Sequence, residues 1–166
     1  QELAAVVGDA SACHGEGVLL ARRHFAVVRR SFCVVVDEVE TASPVSCEWR
    51  LHAPRGIAAE GDRAVVRGER ADLHVVFPPG AAELSVARDP GELPAGRKLK
   101  DFVVSARTPA AAALLLPAVL VPCAAGSPAP VVSFERNERS LTVRVRRAGE
   151  PDAALTWTRS AAGWTL

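Results

Sequence analysis

Hydrophobic and polar positions between residues 18 and 53 follow the period of strands. In Ser46 to Ala53, Cys47, Trp49 and Leu51 share one face, and Glu48, Arg50 and His52 share the other. Strict alternation of this kind places one face on a core and the other in water. Upstream, Val18 to Arg29 reads as a long strand, basic at Arg22-Arg23 and apolar at its end. Phe32 to Glu40 reads as a strand whose Val run is closed by Asp37. The expectation is three consecutive antiparallel strands with the second one central, the first turn falling at Arg29-Arg30-Ser31.

The same rhythm runs through the rest of the chain. Leu3 to Val7 is a short strand, and Ala10 to Gly17 a loop holding Cys13 and His14. Ile57 to Ala59, Ala64 to Arg67 and Ala71 to Phe77 are strands between charged, Gly-containing turns, and Pro78-Pro79-Gly80 stops the last. Glu83 to Ala87, Phe102 to Arg107 and Ala112 to Val121 follow, then Val131 to Glu135, Leu141 to Arg147 and a closing pair around Trp157 and Trp164. The stretches 88–101 and 124–130 are expected to be flexible loops. About a dozen short strands with regular turn signals predict an all-β fold, an antiparallel β-sandwich with little or no helix, in one domain spanning 1–166.

Composition changes this picture little. The chain has 166 residues, 49% of them hydrophobic, which is enough for a core. A net charge of +1 gives no electrostatic argument for nucleic acid or for an anionic membrane. Ala110 to Val121 is apolar but short and carries Pro117, so a buried strand is expected and no membrane span. The four cysteines lack metal-ligand spacing and read as small buried hydrophobes more readily than as disulfides. The chain begins at Gln1 and contains no Met, which reads as part of a longer or processed protein. Abundant Ala, Val, Arg and Pro suit a G+C-rich, bacterial gene.

Few residues carry candidate chemistry. Asp37 falls on the same face as Cys33, Val35 and Val39, and a carboxylate on a core face needs a partner. Pairing through a turn near Ser31 would set Arg22, Arg23 or His24 opposite it; the alternative is an Asp capping the strand end. Arginine matches carboxylate and sulfate bidentately, so Arg22, Arg23 and Arg50 are weak candidates for contacting an anionic glycan. Against this stands a solvated strand face with ion pairs to Asp37 or Glu48. No metal site is expected, the one constellation worth naming being His24, Asp37 and His52. Trp49 is expected in the core. No nucleophile elbow or phosphate loop is present.

Several segments, taken together, resemble a known family. These are Val7-Gly8-Asp9-Ala10, Arg22-Arg23-His24-Phe25, then Phe32 with Val34-Val35-Val36-Asp37-Glu38-Val39, then Glu48-Trp49 and Leu51-His52. With Phe102-Val103-Val104 through Leu120, they look like the C-terminal β-sandwich of the heparinase II/III-like polysaccharide lyases, over about a third of the chain. The resemblance implies a parent enzyme with an upstream α/α toroid, cleaving uronate-containing polysaccharide by β-elimination. It also implies a periplasmic or secreted location and an acidic polysaccharide ligand, and it leaves room for a metal in the parent enzyme. The family's catalytic Tyr and its His-x-His segment have no counterpart here, since the chain contains no Tyr. No catalytic residue or cofactor is therefore expected in this chain, whose role would be accessory. The alternative is a stand-alone carbohydrate-binding or structural module.

Overall fold

The structure, a computed structural model, describes residues 2–28, 31–54, 56–89, 92, 93, 97, 98, 101–161 and 163–166. Within them lie sixteen strands, a single 3-10 turn at Ser11–Cys13 and no α-helix. All neighbouring strands pair antiparallel.

The largest sheet has seven strands, in the spatial order β1 (Leu3–Asp9), β2 (Val18–Val28), β3 (Phe32–Val45), β12 (Ala111–Ala124), β7 (Ala71–Val76), β6 (Arg63–Val66) and β5 (Ile57–Glu60). A four-stranded sheet contains β13 (Val131–Arg136), β14 (Ser140–Arg146), β15 (Ala153–Ser160) and β16 (Gly163–Thr165). A three-stranded sheet contains β4 (Glu48–Ala53), β11 (Asp101–Arg107) and β8 (Glu83–Asp89).

Period-two alternation along β3 and β12 sorts the core into two layers. Phe32, Val34, Val36, Leu115, Val119 and Val121 leave the large sheet on its first face. There they meet Leu141, Val143, Leu155, Trp157 and Trp164 of the four-stranded sheet. Val35, Leu116 and Ala118 leave on the second face, with Val75 and Phe77, and meet Trp49, Val104 and Ala106 of the three-stranded sheet. Trp49 meets Phe77 edge-on, ring centroids 5.3 Å apart. The sandwich thus has three layers, and β3 and β12 are buried on both sides.

Three expectations change. Phe32–Val45 is central, between β2 and β12, but Glu48–Ala53 does not pair with it. Only Ser46 and Cys47 separate β3 from β4, and there the chain crosses to the three-stranded sheet. The crossing is held by Ser46, whose hydroxyl donates to the Thr108 carbonyl at 2.6 Å, and by the Cys47 amide, which donates to the Thr108 hydroxyl at 3.0 Å. Second, β12 runs on to Ala124, past the expected end at Val121, so Pro122 as well as the expected Pro117 lies inside an interior strand, where a missing N–H normally disqualifies proline. The register shows how both are accommodated. Pairing with β7 begins at Val119, beyond Pro117, and pairing with β3 ends at Leu120, before Pro122. Being five residues apart, the two ring nitrogens point to opposite sides, each able to face the flank where the neighbouring strand is missing.

Third, 88–101 is not wholly loop: β8 runs to Asp89, Glu92–Leu93 pairs with Arg97–Lys98, and β11 starts at Asp101. The remainder of that stretch, and the turn expected at Arg29-Arg30, lie outside the described residues. The connection after β12 is tied down. The Ala125 amide donates to the Arg70 carbonyl, Asp72 accepts from the Gly126 backbone, and Arg63 donates to the Pro130 carbonyl at 3.2 Å.

Candidate functional site

Where β4 leaves the second face of the large sheet, a cleft of about 470 Å³ remains open. Val39, Leu114, Leu116 and Trp49 line it together with Arg23, Asp37, Cys47 and Glu48, and the ends of β1 and β2 at Asp9 and Arg22 border it. Four elements meet here because β1, β2, β3 and β12 run side by side while the short β4 covers only part of them.

Arg23 stands directly opposite Asp37 in the β2–β3 register. Its Nε donates to Asp37 Oδ1 at 2.6 Å and its Nη2 to Oδ2 at 2.7 Å, a bidentate pair. Asp37 is nearly buried, while Arg23 is half exposed to the cleft. It sits mid-strand, so it is not a strand-end cap. Asp37 holds the guanidinium in one orientation and leaves Nη1 for other acceptors.

Arg22 points to the other face. Its Nε donates to Asp9 Oδ2 at 2.8 Å. Bonds from the Ser11 hydroxyl and from Arg22 hold the Asp9 carboxyl far below the usual range. Glu38, opposite Arg22 in register, is buried with His24, whose Nε2 lies 3.4 Å from Glu38 Oε2. This cluster was not foreseen. The alternation that turns Asp37 toward one core turns Glu38 toward the other. The unbroken Val34-Val35-Val36 run was the signal, since a strand buried on both faces loses its alternation.

Arg50 lies on the exposed face of β4, 3.6 Å from Glu48, away from the cleft. His52 shares that outer face. The named set His24, Asp37 and His52 is therefore split between two faces of one sheet and the outside of another. Among the described residues no cluster of three His, Cys, Asp or Glu side chains is suited to a metal. The four thiols are free. Burial, and then the Asp37 charge, push the Cys47 thiol up, so it is no ready nucleophile.

The charged groups predict a two-step acid response. His74 is buried beside Asp72, Arg67 and Arg63, and burial pushes its pKa down. The folded state therefore favours neutral His74, and its contribution is lost as pH falls below about 6.5, where the unfolded chain protonates first. Asp9, Glu48 and Asp72 are lowered mainly by hydrogen bonds, from Ser11, Ser105 and Arg67 respectively. Their contribution is complete above about pH 4 and disappears below it. Urea midpoints measured from pH 8 to pH 3 should decline in two stages, and His74→Gln should remove the upper one. A midpoint independent of pH down to 4 in the unmodified chain would contradict the His74 assignment.

These features define an antiparallel, three-layered β-sandwich with an arginine-and-carboxylate cleft at one end. Solved structures share the fold. A heparinase III superposes at a TM-score of 0.74 with 16% identity over 94% of this chain and 26% of that one. A heparinase III with methylated lysines gives 0.72 and 17% over 94% of this chain and 25% of that one. The heparan sulfate lyase HepC from Pedobacter heparinus gives 0.69 and 14% over 93% and 26%. The chain thus spans about a quarter of the structures it matches. No protein-family model matches the sequence, and no curated protein matches it.

Proposed function

We propose that this chain is the accessory β region of a heparinase II/III-like lyase acting on uronate-containing polysaccharide by β-elimination. In this reading it is not catalytic alone. The base that removes the C5 proton and the acid that protonates the leaving oxygen come from an upstream α/α-toroid polypeptide, and the cleft at Arg23 forms one wall of the substrate channel. The observation that carries the reading is Arg23, oriented by Asp37 in the lining of an open cleft, within a fold that heparinase III structures share.

Each part has a physical role. The free edge of the Arg23 guanidinium, Nη1 with the second Nη2 hydrogen, can donate to two oxygens of one uronate or sulfate group. Arg22 turns to the opposite face of β2, which leaves Arg23 as the cation offered to the cleft. Val6, Phe25 and Val27 are exposed on the second face of β1 and β2, beside the cleft. Apolar residues gathered on one face suit contact with another polypeptide, and the upstream part of the same enzyme is the partner of this reading.

The test is an elimination assay at the ultraviolet absorbance of unsaturated uronates, on this chain alone and joined to its upstream polypeptide. Activity is expected only in the joined form. There, the double change Arg23→Gln with Asp37→Asn should raise KM on the order of tenfold with a smaller effect on kcat, as expected for one lost charge-assisted contact. Activity from this chain alone would overturn the accessory role. Inactivity of the joined form would leave a stand-alone binding or structural module.

A further inference from the structure

A second basic hollow lies across the large sheet from the cleft. It measures about 720 Å³ and is bordered by Arg136, Asn137, Glu138, Arg139, Arg159 and Trp164. It sits where the β13–β14 hairpin and the end of β15 overhang the first face of β3 and β12. The cleft uses Asp37 and Val39 of β3 and Leu114 and Leu116 of β12. The hollow is anchored on the intervening residues, through the Leu115 carbonyl and Glu40. The two concavities therefore lie back to back at the same end of the sheet.

The hollow is positively charged and its cations are incompletely matched. Arg136 Nη1 donates to the Leu115 carbonyl at 3.2 Å, which positions the guanidinium without neutralising it. Arg159 stands 3.7 Å from Glu40, a long ion pair. Arg139 is exposed and, among the described residues, has no carboxylate partner. Among the described residues the three guanidiniums thus face two carboxylates, Glu138 and the more distant Glu40. Asn137 Oδ1 accepts from the amides of Arg139 at 2.8 Å and Ser140 at 2.7 Å. With its oxygen so engaged, the amide of Asn137 has its Nδ2 donors left for a ligand. A hollow with three guanidiniums and one amide donor suits sulfate or carboxylate groups.

We propose that Arg136, Asn137, Arg139 and Arg159 form a second anion-binding subsite, which takes the continuation of an acidic polysaccharide passing around the end of the large sheet from the cleft. This rests on the polysaccharide reading of the cleft. A chain long enough to reach both concavities gains the second set of contacts as an intramolecular event. A chain filling only the cleft gains nothing from it.

Affinity measured for two probes tests this: a heparan sulfate tetrasaccharide and a heparan sulfate chain of more than twenty sugars, with neutral dextran as control. The long chain should bind more tightly. Changing Arg139→Gln with Arg159→Gln, both side chains being at the surface, should weaken the long chain on the order of tenfold and leave the tetrasaccharide unchanged. It should also flatten the salt dependence for the long chain, since fewer counterions are released. Equal binding of the long chain by the variant and the unmodified protein overturns the subsite and leaves the cleft intact. Weakening of both probes by the same factor overturns the path from cleft to hollow. Tetrasaccharide affinity unaffected by Arg23→Gln overturns the cleft reading alone, and failure of the unmodified chain to bind either probe overturns both.

Discussion

Trp157→Ala is expected to cost about 3–5 kcal/mol of stability, the range for truncating a fully buried aromatic. The whole domain is expected to have only about 5–15 kcal/mol to lose. Trp157 is completely enclosed in the core between the large sheet and the four-stranded sheet. Among the described residues its indole N–H has no hydrogen-bond partner. The residue thus stabilises through apolar contact alone, and it does so while carrying a desolvation cost of about 1–3 kcal/mol for the unpaired donor. Trp157→Phe separates the two effects. It leaves a smaller cavity and removes the unsatisfied donor, so it should cost well under half of the alanine change. Urea denaturation with an unchanged slope measures both. Equal costs for Phe and Ala would show that the indole N–H is bonded in solution. A cost below about 1 kcal/mol for Ala would be inconsistent with a buried side chain of this size.

The sequence predicted the strands better than it predicted how they associate. Alternation in Cys47 to His52 placed Trp49 inward and Arg50 and His52 outward, and the structure has them there. Alternation speaks only of a strand's two faces, however. It cannot say which sheet a strand joins, so the crossing at Ser46-Cys47 was invisible, although it depends on Thr108, some sixty residues away. The prolines of β12 show a related limit. A proline forbids one hydrogen bond on one side, and whether a neighbour is present there is set by where other strands end. The expected turn narrowed the partner of Asp37 to Arg22, Arg23 or His24, with a strand-end cap as the alternative, and only the register of the folded sheet selects Arg23. The hollow gave no local signal, since its arginines come from a hairpin and a separate strand that tertiary packing brings together.

Glu38→Ala is expected to cost about 1–3 kcal/mol, the range for leaving a buried polar partner unsatisfied. The acid is held from three directions. Arg22 faces it across the β2–β3 ladder, His24 lies 3.4 Å away, and Gly163 of the last strand closes over it. Gly163 has φ +107°, a conformation that side chains rarely adopt, and a Cβ there would lie 2.9 Å from Arg22 Nη1 and 3.2 Å from Glu38 Oε1. The β15–β16 turn therefore needs glycine for two reasons, backbone and contact. Gly163→Ala should cost about 1–3 kcal/mol from the backbone alone, plus the crowding of Glu38. In the Glu38→Ala background only the backbone part and the flexible Arg22 contact remain. The two changes should then be less than additive, with a coupling of about 0.5–3 kcal/mol from a double-mutant cycle. Strict additivity would mean that the last strand does not rest on the carboxylate. Sub-additivity would mean that the β15–β16 turn and the buried Glu38 stabilise one another, so that opening β16 also exposes His24 and Glu38 to water.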